Sequence, residues 1–242
     1  MKTILRPSGE TSFLADAARD LVVVVVGILA ALYLESWWQD KQDRAEEALL
    51  LEGLRAEFVS NKSQLVQKMS VWSDIITAAI LAQQFMGQNG AELDSAKIVQ
   101  AFQGTNSMQF FDPRTGQLSS LISSGKLGLI GNAELRAKIA DWPSLVEDLD
   151  VEREIAMLTV TTGYRSRLES YLSPVDDSPF QNRIEELLSD RKIYNDLFGT
   201  RLNMQRSVDE GEAILQASDE IIAMIDSELG QKIGSEPGSD PN

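Results

Sequence analysis

The stretch LVVVVVGILAALYLESWW, residues 21–38, is apolar on every face of a helix until Glu35. A helix packed on a soluble core keeps a polar stripe, and this one has none over its first fourteen residues. Leu21 to Leu34 alone is short of the roughly 20 residues that a ~30 Å hydrocarbon core asks for. Counting to Trp38 gives about 27 Å at a helical rise of ~1.5 Å per residue. Asp20 and Arg19 then stand at one boundary and Glu35 near the other, with Tyr33, Trp37 and Trp38 as an aromatic belt at headgroup level. Valine is a poor helix former in water. In lipid an unpaired backbone costs far more than that preference, so helix is expected.

The flanks bear on whether this is a signal peptide. The preceding segment is long for an n-region and holds three acids, Glu10, Asp16 and Asp20. No small-x-small cleavage site follows, since Leu-Glu-Ser-Trp-Trp comes next. The reading is an uncleaved transmembrane anchor over 21–38, after a short tail over 1–20 whose beginning Pro7, Ser8 and Gly9 make irregular. Gly27 and Ala31 are four residues apart with Ala30 beside them. That small-xxx-small spacing lets two membrane helices approach closely, so these three are the expected helix-association residues. Asp20, Tyr33, Glu35, Trp37 and Trp38 are the expected membrane-interface residues. Basic residues are nearly balanced across the span: Lys2, Arg6 and Arg19 before it, Lys41, Arg44 and Arg55 after it. A short tail followed by a long domain favours a cytoplasmic N-terminus and a periplasmic body in the inner membrane.

The rest of the chain is acidic. The formal charge is −15 over 242 residues, and the first 38 carry only −1 of it, leaving −14 on the body. Such a body repels phosphate backbones and anionic lipid surfaces, which argues against nucleic-acid binding. There is no cysteine and no histidine. Disulfides, thiol nucleophiles, most zinc sites, His- or Cys-ligated haem and the Ser-His-Asp or Cys-His constellations are thereby excluded. Lack of cysteine leaves the redox compartment open.

From Gln39 the pattern turns amphipathic. Leu51, Phe58, Leu65, Trp72, Ala79 and Met86 fall at seven-residue intervals. Leu54, Ile75 and Ala82 fill part of a second seam, which Asn61 and Lys68 interrupt. A long helix continuing from the span is expected, ended by Gly87, Asn89 and Gly90. Asp94 caps a short helix through Ile98, Val99 and Phe102, closed by Gly104. Residues 105–116 read as a loop, and 117–124 as another short helix. Asn132 caps a helical stretch from Ala133 to Tyr171, with Pro143 as a kink or fresh start. Its buried face is expected from Leu145, Leu149, Ile155, Leu158, Tyr164, Leu168 and Tyr171. A turn over 173–178 follows, then a helical region from Phe180 that Ser189 or Asp190 restarts. Tyr194, Leu197, Leu202, Met204, Val208, Leu215, Ile221, Ile222, Ile225 and Leu229 form its expected apolar face, Gly199 is a weak point, and Gly230 ends it. The tail over 231–242 buries nothing and is expected to be disordered.

No segment alternates with period two. The fold is therefore read as all-α: one N-terminal transmembrane helix continuing into an extramembrane antiparallel helical bundle over 39–230. The glycines at 125, 128 and 131 match neither GxGxxG nor a P-loop, and Lys126 is wrongly placed for phosphate, so they read as a turn. Asp176 and Asp177 are more useful as helix caps than as cation ligands. No catalytic, cofactor-binding or metal residue is assigned, and no cofactor is expected.

Two stretches together carry a resemblance. Asp20 through Trp38 resembles the anchor of an uncharacterised bacterial family of single-span membrane proteins, which opens on a pattern like GE-x-x-LVVIGILIAL, four variable residues and WN. LISSGKLGLIGNAELR, residues 121–136, resembles the same family's L-x-SSG-x-L-x-LI-x-N-x-x-LR segment. Arg19-Asp20 stands where Gly-Glu is usual, and Trp38 where the family has Asn. The family is of unknown function, so the resemblance implies a topology and no activity.

The expected function is that of a membrane-anchored, non-enzymatic helical protein. Its partners would be the lipid bilayer and either a second copy or a larger complex, met through the membrane helix. The rival is a sensor or ligand-binding domain, with a pocket drawn from Phe110, Phe111, Trp142 and Tyr164. A metal-dependent hydrolase using carboxylates is the weakest reading, because the acids are not clustered.

Overall fold

A computed structural model of the protein describes residues 10–159, 163–173 and 181–234. The irregular beginning around Pro7, the turn with Pro174, Asp176 and Asp177, and residues 235–242 of the tail lie outside these. Every described element is helical: α1 (Glu10–Phe85), α2 (Ser95–Gly104), α3 (Gly116–Ser123), α4 (Ala133–Thr159), α5 (Arg165–Tyr171), α6 (Ile184–Ser189) and α7 (Arg191–Gly234). Short 3₁₀ turns stand at Gly90–Glu92 and Lys126–Leu129. The chain divides into two compact units, Met1–Leu49 and Leu50–Asn242. In the first, the described residues are the α1 segment alone.

The second unit is a bundle of α1, α4 and α7. The heptad positions of α1 face its interior: Leu51, Phe58, Leu65, Trp72 and Ala79 are all buried, as are Leu54, Ile75 and Ala82, while Met86 is half-buried. α7 runs antiparallel to α1, pairing Asp226 with Arg55 and Asp219 with Lys62. It also runs antiparallel to α4, through Lys138 to Glu220 at 2.6 Å and Trp142 Nε1 to Ser218 Oγ at 3.1 Å. The Phe58 ring meets the Trp142 indole edge-on, with centroids 5.2 Å apart. α1 and α4 therefore point the same way, and residues 86–132 form the crossover that this requires.

The crossover is pinned by its caps. Gly87 has φ +76°, and its N–H donates to Leu188 O at 2.9 Å, which ends α1. Asp94 Oδ1 accepts from Ala96 N and Lys97 N at the start of α2. Gly104 lies against α1 so closely that an added Cβ would stand 2.9 Å from Ala78 Cβ. Gly125 takes φ +72°, and Asn132 Oδ1 accepts from Glu134 N and Leu135 N to open α4. Asp190 restarts the chain as expected, accepting from Lys192 N at 2.7 Å.

Several expectations need correction. α4 continues through Pro143. Ile155 and Leu158 are exposed, at 40% and 63%; the inward position is Ala156. In α7, Tyr194 and Leu202 are exposed and the helix passes both Gly199 and Gly230. Its inward seam is a second heptad pair: Ile193, Thr200, Ser207, Ile214 and Ile221 beside Leu197, Met204, Gly211, Ser218 and Ile225. Four of these ten are Thr, Ser or Gly, which hydropathy does not mark as core. Their small size is what the packing uses. A Cβ at Gly211 would lie 3.0 Å from Met69 Sδ and 3.4 Å from the Trp72 ring.

Candidate functional site

The apolar segment of α1 comes first. Across residues 21–38 every side chain is exposed, and among the large apolar ones exposure ranges from 46% at Val25 to 72% at Tyr33. The most apolar window of α1 has mean hydropathy 2.0. Among the described residues this is the one helix long and apolar enough to cross a membrane. A continuous exposed apolar surface of this kind is compatible with a membrane anchor. A Cβ added at Gly27 meets nothing within 4 Å, so the chain's own packing does not require glycine there. Ala30 and Ala31 are exposed beside it, as are Tyr33, Glu35, Trp37 and Trp38. The Lys41 ammonium sits 5.7 Å from the Trp37 ring centroid, within cation–π reach. The Asp20 side chain lies outside the described residues.

Inside the body, one face of α1 gathers the crossover loop. The Glu57 carboxylate accepts from Gln117 N at 2.7 Å and Leu118 N at 3.0 Å, capping the start of α3. Asn61 bonds the backbone of Arg114 twice, Nδ2 to O at 2.7 Å and N to Oδ1 at 2.8 Å. Lys68 Nζ donates to Gln109 Oε1, and Trp72 Nε1 to Gln109 O at 2.7 Å. Asn61 and Lys68, interruptions of an apolar seam in the sequence, are thus the groups that hold this loop. The available signal was a polar residue at a core register position.

The body holds two apolar cores. One is built on Leu51–Trp72, Trp142 and Ile214–Ile225; the other on Ala79, Phe102, Tyr164, Leu187 and Ile193. Between them lies a waist with a cavity of about 30 Å³, bordered by Trp72, Phe110, Phe111, Ala156, Thr200 and Met204. A single water needs roughly 10–15 Å³ of such space. Drug-sized ligands occupy roughly 300–1,000 Å³ clefts, so this cavity is not one of those. Of the four aromatics expected to line a pocket, Phe110 and Phe111 do so. Trp142 is packed in the first core. Tyr164 is packed in the second, its hydroxyl paired with Thr105 Oγ1. Burial pushes the Tyr164 phenol up to about 12, against the lowering effect of that hydrogen bond.

The waist is polar on its α7 side. Thr200 is 4% exposed, and its Oγ1 has no hydrogen-bond partner among the described residues. A buried hydroxyl left so costs about 1–3 kcal/mol. At the rim, Arg153 pairs with Asp150 at 3.4 Å and lies over the Phe110 ring, 5.9 Å from its centroid. Among the described residues no group of three or more acids is placed to hold a metal ion.

A family model described as a family of unknown function (DUF6090) matches residues 20–146. No curated protein and no solved structure matches the chain.

Proposed function

We propose a membrane-anchored, non-enzymatic role for this chain, which belongs to the family of unknown function DUF6090. The protein is read as a structural or accessory subunit of a homo-oligomer or larger membrane complex. Residues 21–38 span the inner membrane, with the N-terminus cytoplasmic and the body periplasmic. The observation that carries this reading is the run of large apolar side chains over 21–38, all exposed in the protomer. Lipid supplies the burial that the protomer does not. Gly27, with open space where its Cβ would be, and the neighbouring Ala30 and Ala31 give a face on which a second helix can pack closely.

Extraction and mass test this together. Membranes washed at alkaline pH are expected to retain the protein, and mild detergent to release it as an oligomer or with a stoichiometric partner. A strictly monomeric species with nothing co-purifying refutes the subunit reading, and release by the alkaline wash refutes the anchor. Orientation has its own test, because the native chain has no cysteine. A single Ser119→Cys variant in the body is expected to react with an impermeant maleimide from the periplasmic side.

A further inference from the structure

We infer that the waist between the two cores is a binding site for a small hydroxyl-bearing guest, held by the side chain of Thr200. The cavity touches all three long helices and the crossover loop, through Trp72, Phe111, Ala156 and Thr200. Most of its wall is hydrocarbon, aromatic ring or methionine sulfur. Its buried polar side-chain groups are otherwise engaged, and Ser107 on the same wall is exposed. Trp72 Nε1 donates to Gln109 O, Ser207 Oγ donates to Asn203 O, and Thr105 Oγ1 bonds Phe102 O and Tyr164. Thr200 Oγ1 is the exception, buried and without a partner among the described residues.

A helical threonine commonly satisfies itself on the carbonyl four residues back, as Ser207 does on Asn203 and Ser218 on Ile214. Thr200 makes no such bond and stands at the cavity instead. A hydroxyl both donates and accepts, and a guest hydroxyl answers either role within so small a space. The space admits about two waters or a molecule of about two or three non-hydrogen atoms. Charged guests are disfavoured, since Arg153 and Asp150 at the rim already pair with each other. The shared chemistry is therefore an O–H group with at most a short hydrocarbon tail, met by water or by a short alcohol.

The two sources separate in solution. Full-length protein in detergent micelles, methyl-labelled at threonine, is observed by water-selective NMR and then titrated with ethanol. A long-lived water cross-peak to the Thr200 methyl is expected; in variants labelled at the substituted residue it is expected at the serine β-protons of Thr200→Ser and absent from the valine methyls of Thr200→Val. If ethanol shifts the Thr200 methyl saturably while the water peak fades, the guest site accepts alcohols. If the water peak persists unchanged, the guest is water. Wild-type protein with neither a water peak nor an ethanol shift at Thr200 overturns the proposal. Thr200→Ser guards against a misfolded valine variant, because it retains the hydroxyl and nearly the whole shape.

Discussion

Asn61 and Tyr164 show how single polar groups acquire weight once they are buried. Asn61 is 3% exposed and satisfies both backbone groups of Arg114. Asn61→Ala leaves that N–H and C=O without their partner, and is expected to cost about 2 kcal/mol of stability, read from urea unfolding. Asn61→Leu restores volume but neither bond, so it is expected to fall as far. Tyr164 makes the pH prediction. Its folded-state pKa is raised to about 12, chiefly by burial, so the neutral phenol is the form the fold prefers. Its contribution is whole below the ordinary tyrosine pKa of about 10 and is lost as the pH rises through about 12. Titrated by absorbance at 295 nm, Tyr164 is expected to be the last of the four tyrosines to ionise, Tyr171 being raised as well by its hydrogen bond to Asp190, and Tyr164→Phe is expected to abolish that last step. The role of Asn61 could not be read from the sequence, because its partner is the backbone of a loop 53 residues away. Tyr164 was legible as buried, but its hydroxyl partner was not.

At the scale of elements, the glycines separate into those the backbone needs and those it tolerates. Gly125 sits at φ +72°, where a side chain is strained, so Gly125→Ala is expected to destabilise by about 1 kcal/mol. Gly128, three residues on, has no such φ and nothing within 4 Å of an added Cβ. Gly128→Ala is expected to be neutral in thermal melting, and a loss equal to that of Gly125→Ala would contradict this account. Helix starts and their caps were the most legible features. Asp94, Asn132 and Asp190 cap where their spacing says they should, because a cap acts on backbone two or three residues away. The faces of α4 and α7 were less legible. Large residues such as Leu158 and Tyr194 suggested an inward stripe, yet both are exposed. Hydropathy records what a side chain prefers and not what its neighbour leaves room for. Opposite Trp72 and Met69 the room is for Gly211.

For the whole molecule, the all-α architecture followed from periodicity, and the long exposed apolar stretch over 21–38 from composition. Neither names what that stretch meets. Gly27→Leu fills a position that is open in the protomer. It is expected to leave the melting temperature of the body unchanged while shifting the detergent-solubilised species toward a smaller mass. A melting shift with unchanged mass would place Gly27 in the fold instead of in association. Pairing α1 with α7 has a further consequence, in time. Arg55 and Asp226 meet across 171 residues of chain, and Lys62 and Asp219 across 157. A ribosome adding ~5–20 residues per second takes roughly 10 to 30 s to cover that distance. Through that interval the apolar face of α1, from Leu51 to Ala79, has been made while its last partner has not. The nascent protein therefore passes through a stage in which that face is available to chaperones, to neighbouring chains or to the wrong helix.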